Sequence, residues 1–478
     1  MGAVGLSFGS ATSGDGFDVT STVNQIVTNL QAVETPWKSQ LTSLRSKDTA
    51  LSSLGTQIST LSTDLQNLTD FSGTMAYKTG SSSDTNVLTL SSASAVAVAG
   101  THTIVVQNLA QTSSAASDPI GAADVLTGSI TFRVGSGAWQ TVHVGDSSTA
   151  STLSGLSAAI NSAGLGVGAS VLTKADGTVR LSLVSRTGGT AGQITIADAA
   201  SSPGSPTTLA DSTTADDNIG LGLATIQTGT DASFTVDGVK LTSASNTVTN
   251  AIPGVTFQLL STGSFGSTPE TVQVVIGNDT SSIETAISTF VTDYNTTMKA
   301  IGAQEGKDSS GNPEPLCSSS ILAQLQQGML SAMSSVFGTN TINSLISLGI
   351  TASAASDGTV TLDADKLGNA LNSNFDQVVS FFQNAGSFGA TFSKTLHGLG
   401  NNSGAGGAIS LALSEDSSQE KTLNDDISKQ EALIAIQKES LTMELNMANQ
   451  ILQSIPDMIQ QINEMYSAIT GYNSSNNG

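Results

Sequence analysis

Both ends of this chain carry a sustained seven-residue apolar repeat, and a stripe of that kind is hidden from water only against another helix. Counting from Val23 gives Val23, Leu30, Trp37, Leu44, Leu51, Ile58 and Leu65, with companions Ile26, Val33, Gln40, Lys47, Leu54, Leu61 and Leu68. Gln40 and Lys47 are the polar members, of a type that sets register at a cost in stability. Ile427, Ile434, Leu441, Ala448, Ile455, Ile462 and Ile469 repeat the spacing near the other end, joined by Leu445, Leu452, Ile459 and Tyr466. Two such helices at opposite ends of one chain pack most economically as an antiparallel pair, so the termini meet and the middle becomes a lobe on a helical stalk. Pro36 predicts two helices or a kink near Thr35 to Trp37, and Pro456 predicts a matching break.

Between about Tyr77 and Gly277 the apolar period falls to two, the signature of strands. His102, Ile104 and Val106 alternate with Thr103, Val105 and Gln107. Phe234 and Val236 precede Asp237-Gly238, and Val239 and Leu241 follow, which predicts a hairpin with a type I′ turn. A smaller unit from Asp118 to Asp211 has strands around Ile130, Val142, Val171, Val179 to Val184 and Ile194. It also holds one helix capped by Thr152, so it reads as a β-α-β insertion. A helix resumes at Ser281 with Ile283, Ile287, Phe290, Val291, Tyr294 and Met298 on one face. Asp357-Gly358 turns a hairpin, and Asp363 caps one helix through Leu367, Leu371, Phe375, Val378, Val379 and Phe382.

The composition narrows the partners. Over 478 residues, 16 Lys and Arg stand against 38 Asp and Glu, a net charge of −22, so nucleic acid is repelled. Only 11% of residues are charged, and Ser with Thr supply about a quarter of the chain. The single cysteine, Cys317, excludes an intrachain disulfide. No apolar run is long enough for a transmembrane helix, and Met1 to Gly16 lacks the charge and apolar run of a secretory signal.

No catalytic constellation stands out. His102, His143 and His397 are far apart in sequence, and Gly5-Leu6-Ser7-Phe8-Gly9 matches a nucleophile pattern without a strand before it. Gly220-Leu221-Gly222-Leu223 reads as a loop, and the acidic pairs Asp216-Asp217 and Asp425-Asp426 read as solvated loops or first-turn charges. Neither a cofactor nor a metal site is expected. The terminal repeats carry the information: they either pack within one chain or dock other chains, and Trp37 beside Pro36 is the expected anchor.

The order of motifs resembles a known family. Gly16-Phe-Asp-Val19, Glu34-Thr-Pro36, the Gly100-Thr-His-Thr-Ile104-Val-Val-Gln-Asn-Leu109-Ala110 block, Phe234-Thr-Val-Asp-Gly-Val239, Ile252-Pro-Gly-Val-Thr256 and Asp357-Gly-Thr-Val-Thr-Leu-Asp363 follow one another as in the flagellar hook-associated protein 2 family, the filament caps. Thr152 to Asn161, then Val167 to Leu172 and Asp176 to Ser185, are similar to the repeat unit in the heads of flagellin and hook-associated proteins.

That resemblance implies an α+β multidomain chain in which an antiparallel coiled-coil stalk from both termini carries a β-rich head with an inserted small α/β domain. The expected segments are a helical leg over 1–75, head over 76–117, insertion over 118–211, head again over 212–277, and a C-terminal leg over 278–478 with a hairpin near 348–362. It implies a non-enzymatic cap, commonly a pentameric ring, at the extracellular tip of the filament. There it retains exported flagellin and promotes its folding and polymerisation. The implied partners are flagellin and the filament tip, hook-filament junction proteins and a cytoplasmic export chaperone, with no nucleic acid and no membrane insertion. Export would use the flagellar type III apparatus without a cleaved signal peptide. The expected contact residues are Val23, Ile26, Leu30, Trp37, Ile455, Ile459 and Ile462. Another axial protein, flagellin or a junction protein, and a secreted adhesin are the alternatives.

Overall fold

Helix α1 (Val19–Gln31) starts where the Asp18 carboxylate accepts a hydrogen bond from Ser21 N at 3.0 Å, an N-cap that satisfies one of the helix's free donors. This computed structural model describes residues 16–145, 151–197, 207–208, 210–211, 220–263, 270–400 and 406–470. A 3₁₀ turn, Ala32–Glu34, joins α1 to α2 (Thr35–Thr69), and Pro36 sits in the first turn of α2, where its missing N–H costs nothing. The break expected at Pro36 is therefore present. It also corrects the seam. Val33, inside the 3₁₀ turn, is 53% exposed, Gln40 is exposed and Leu41 is buried, while Leu44 keeps its expected place in the seam. From there Leu51, Leu54, Ile58, Leu61, Leu65 and Leu68 are all buried, each contributing roughly 1.5–3 kcal/mol.

The chain then enters its β-rich part. Strands β1 (Lys78–Ser82), β2 (Leu88–Ala93) and β3 (Gly100–Asn108) come first. Next are β4 (Thr112–Ala116), β5 (Ile120–Gly121), β6 (Leu126–Val134), β7 (Gln140–Val144) and α3 (Leu153–Ala163). Strands β8 (Val167–Thr173), β9 (Thr178–Gly188), β10 (Ile194–Ile196), β11 (Ala210–Asp211) and β12 (Ala224–Gln227) follow. The last group is β13 (Ala232–Val236), β14 (Val239–Ser243), β15 (Thr247–Thr249), β16 (Val255–Leu259) and β17 (Thr271–Asn278).

Eight of these form one sheet in the order β14-β13-β3-β17-β1-β2-β16-β15. Its buried face is made of alternate residues, among them Ile104, Val106, Phe234, Phe257, Val272 and Val274. Phe234 on β13 and Phe257 on β16 meet edge to face at 5.9 Å although four strands lie between theirs. The sheet therefore curls until its inner face closes on itself. Val236 pairs with Val239 across Asp237 and Gly238, whose φ values of 51° and 81° make the type I′ turn that Asp-Gly foretells.

A second core, separate from the first, gathers Ala115, Phe132, Leu156, Ile160, Leu181 and Leu221. One small sheet runs β10-β6-β11 with β7 on β6, and another runs β12-β4-β9-β5 with β8 on β9. Thr152 caps α3 by accepting from Gly155 N at 3.1 Å, and Gly164 ends the helix in the left-handed conformation. Leu221, left-handed at φ 49° in the irregular turn over Gly220–Gly222, fills this core at 7% exposure.

Helix α4 (Thr280–Ala303) buries Ile283, Ile287, Phe290, Val291, Tyr294 and Met298 along one face. Helix α5 (Ser320–Met333) follows, then the hairpin of β18 (Ile350–Ala352) and β19 (Val360–Leu362), and helices α6 (Ala364–Ser373), α7 (Phe375–Gln383), α8 (Phe388–Leu399) and α9 (Ala408–Thr470). Asp363 caps α6 through Lys366 N at 3.1 Å. The single helix expected after Asp363 is two, because Asn374 leaves the helical region at φ −137° and its carbonyl begins a new turn at Val378. Helices α5 and α8 were not anticipated from the sequence. A second correction concerns Pro456, which lies inside α9 without ending it. The proline loses one backbone bond and strains one turn, about 3 kcal/mol, against a helix intact on both sides.

The described residues fall into two compact units, Met1–Asp70 with Glu284–Gly478, and Phe71–Ile283. The class is mixed α+β, helical at both ends and β-rich between.

Candidate assembly surface

In the helical unit α1 and α2 both pack on α9. Phe17 N donates to Asn449 Oδ1 at 2.8 Å, Lys38 Nζ reaches Glu431 Oε1 at 3.2 Å, and Arg45 Nε lies 3.9 Å from Glu420 Oε2. The residue numbers run in opposite directions along the contact, so the packing is antiparallel. Lys38 also bonds Glu34 Oε2 at 2.7 Å, and these carboxylates, Glu34 first and Glu431 second, hold its ammonium above the ordinary lysine value. Glu34 itself is buried at 1% exposure at the junction of α1 and α2.

The seam on α9 is shorter than the repeat. Ile427 and Ile434 are buried, Leu441, Leu445, Ala448, Leu452 and Ile455 are half-buried, and Ile459, Ile462, Tyr466 and Ile469 are exposed at 40–80%. The repeat outruns its partner: Gly16 and Phe17 lie against Asn449 and Gln453, and from Asp457 to Thr470 every residue of α9 but Ser467 is exposed, on all sides of the helix.

A second stripe lies beside it. Leu433, Ile436, Met443, Met447, Ile451, Met458, Ile462, Met465 and Ile469 follow the helical period of 3.6 closely, and all are 46–80% exposed. At 1.5 Å per residue this straight apolar line is about 54 Å long. Four of its members are methionines, whose flexible thioethers adapt to irregular partners. The flank carries Glu444, Asp457 and Glu464, and no Lys or Arg occurs between 439 and 470. Exposed contiguous apolar surface of this extent marks an interaction site.

Of the seven expected contact residues, Val23 is buried at 2% within the chain's own packing. Ile26, Leu30, Trp37 and Ile455 are half-buried, while Ile459 and Ile462 are open. Met443, Met447, Ile451, Met458 and Met465 were missed because a strict seven-residue count steps past them. A 3.6-residue count would have found them.

The other motifs gather no chemistry. His102 Nδ1 lies 2.7 Å from Asp237 Oδ2 and braces a hairpin, His143 is exposed on β7, and His397 Nδ1 is 2.7 Å from Ser393 O on α8. Asp425 and Asp426 lie within α9 beside Lys421 and Lys429, not in a loop or a first turn. Gly5 to Gly9 and Asp216-Asp217 lie outside the described residues. Among the described residues no group of three or more His, Cys, Asp or Glu could hold a metal ion, and no helix is long and apolar enough to cross a membrane.

Comparison with known proteins places these features. Residues 229–473 match the family model for the flagellar hook-associated protein 2 C-terminus, and residues 15–113 match that for its N-terminus. The chain is similar to the B-type flagellar hook-associated protein 2 of Pseudomonas aeruginosa, 28% identical over 328 residues, 64% of this chain and 66% of that one. It is also 28% identical over 289 residues to the flagellar hook-associated protein 2 of Escherichia coli O157:H7, covering 58% of this chain and 60% of the relative. In each case the match spans slightly less than two thirds of the relative. The fold is like that of the D1-D2-D3 domains of the Escherichia coli flagellar cap protein, with a TM-score of 0.54 at 23% identity, covering 77% of this chain and 99% of that one.

Proposed function

Since this chain belongs to the flagellar hook-associated protein 2 family, we propose that it caps the distal end of a growing bacterial flagellar filament. There it holds arriving flagellin at the extracellular tip while the subunit folds and joins the lattice. The role is mechanical and needs no covalent step. Antiparallel α1, α2 and α9 serve as a coiled-coil leg, and the second core serves as a domain inserted in the curled sheet. Several copies close a ring, five in the arrangement the family resemblance implies. Export through the flagellar type III apparatus with a cytoplasmic chaperone, and contact with hook-filament junction proteins, belong to the same reading. Neither another axial protein, flagellin or a hook-filament junction protein, nor a secreted adhesin is favoured, because matches to both terminal models of this one family bracket the chain.

The bare stripe on α9 is the observation that supports docking by the leg. Ile459 and Ile462 are free to meet another chain, Ile26, Leu30, Trp37 and Ile455 would border the contact, and Val23 supports it from within. Replacing Ile451, Met458, Ile462 and Met465 together with Ser in the native host tests this. The leg should stay helical, filaments should shorten, and flagellin should accumulate in the medium. Normal filaments would return the stripe to an idle surface, and normal filaments after deletion of the whole gene would overturn the capping role itself.

A further inference from the structure

Helix α2 presses two aspartates against other carboxyl groups. Arg45 lies 3.9 Å from Glu420, and the antiparallel register carries the next turn of α2, at Asp48, to Asp416 on α9, while Asp64 faces Asp293 on α4. Asp48 Oδ1, Asp64 Oδ2 and Glu420 Oε1 are buried without a hydrogen-bond partner. Two carboxylates facing each other ionise together only at a cost, and partial burial raises that cost.

We propose that these acid pairs make the helical unit a proton-sensitive clamp, in which the contacts of α2 with α9 and α4 hold tighter in acidic than in neutral solution and loosen as the pairs ionise.

The surrounding charges leave the pairs uncompensated. Arg45, one turn before Asp48, is directed to Glu420, and Lys421 on α9 is turned to Asp425. On α4, Lys299 is exposed and Glu284 lies beside Gly368. On α8, Lys394 and His397 are exposed, as is Asp376 on α7, and α1 and α5 contain no charged residue. Burial first, then Asp416 and Glu420, lifts Asp48 from 3.8 to about 6, and burial first, then Asp293, lifts Asp64 to about 6. A carboxyl raised on folding contributes stability that is present in full below its unfolded value near 3.8 and is lost as pH rises through about 6.

Hydrogen exchange on the full chain at pH 5 and pH 7.5, expressed as protection factors, tests the clamp. Protection in α2 and α9 around Asp48, and in α2 and α4 around Asp64, should fall several-fold to about tenfold between the two conditions. Asp48→Asn should abolish the fall at the first seam only, Asp64→Asn at the second only, and Asp416→Asn should add nothing to Asp48→Asn. Equal wild-type protection at both pH values would overturn the proposal, as would Asn variants that keep the full response.

Discussion

Asn295 and Val360 exchange two hydrogen bonds: Asn295 Nδ2 donates to Val360 O at 2.8 Å, and Asn295 Oδ1 accepts from Val360 N at 2.7 Å. A side-chain amide on α4 thus takes the part of a neighbouring strand and binds the β18–β19 hairpin to the helix. Beside it the Tyr294 hydroxyl donates to Gly358 O at 3.1 Å, and burial pushes that phenol well above its usual pKa.

Removing this amide should destabilise the helical unit. Asn295→Leu leaves a part-buried N–H and C=O unpaired and should cost about 2–3 kcal/mol. Asn295→Asp, which lacks the donor, should also be unfavourable. Urea unfolding followed by Trp37 emission in a Trp139→Phe chain reads the effect, and a loss under about 0.5 kcal/mol would show the hairpin held by other contacts.

The seam and the stripe should respond oppositely to truncation. Leu61→Ala, at 0% exposure, should cost about 2–5 kcal/mol. Ile462→Ala and Met465→Ala, about 60% exposed, should stay within about 0.5 kcal/mol in the same titration. Losses of the core size at either position would mean that the stripe is covered within one chain.

The Asp237-Gly238 turn isolates backbone strain. A Cβ at Gly238 would meet open space, yet φ is +81°, so Gly238→Ala should cost about 1–2 kcal/mol without any clash. Asp237 accepts from Thr103 N at 2.8 Å, and that bond first, then His102, holds its carboxyl below 3.8. Its stabilising contribution is present above 3.8 and is lost as pH falls through the lowered value. A carbon-detected titration should find Asp237 titrating below ordinary aspartates, and a normal midpoint would refute the brace.

Pro456→Ala restores one helical hydrogen bond to Leu452 and relieves the ring clash. Amide protection over 452–460 should rise, equivalent to as much as about 3 kcal/mol locally. Unchanged protection would mean that the turn is frayed for another reason.

The second core sets its own limits. Ala115 and Leu221 belong to it, and β4 and β12 pair within its sheet. A fragment of 110–230 should therefore melt cooperatively, whereas 118–211, the insertion expected from sequence, should not. Equal melting of the two fragments would show β4 and β12 to be dispensable.

Local chemistry made much of this molecule legible in advance. Asp18, Thr152 and Asp363 cap helices because their oxygens reach a backbone donor three residues on, and Asp237-Gly238 turns because both positions tolerate positive φ. Helices α5 and α8 escaped notice because their apolar residues are diluted by Ser, Gln and Gly. The edges of the second core escaped because β4 closes with β9 and β12, which lie far along the chain.

By itself the sequence determined the strongly periodic helices and strands, the capped and Asp-Gly turns, and that two terminal helices share one apolar character, since all of these rest on neighbours within a few residues. Tertiary structure decided which side of α9 is covered. A seven-residue repeat marks an apolar stripe but not how far a partner helix runs beside it. Ile427 and Ile434 lie where α9 is covered and are buried, while Ile462 and Ile469 lie where it is exposed on all sides. The same packing aligned Leu433, Met447, Met458 and Met465 into one exposed line. It also set Asp48 against Asp416 and Asp64 against Asp293, contacts between residues hundreds of positions apart that no local spacing encodes.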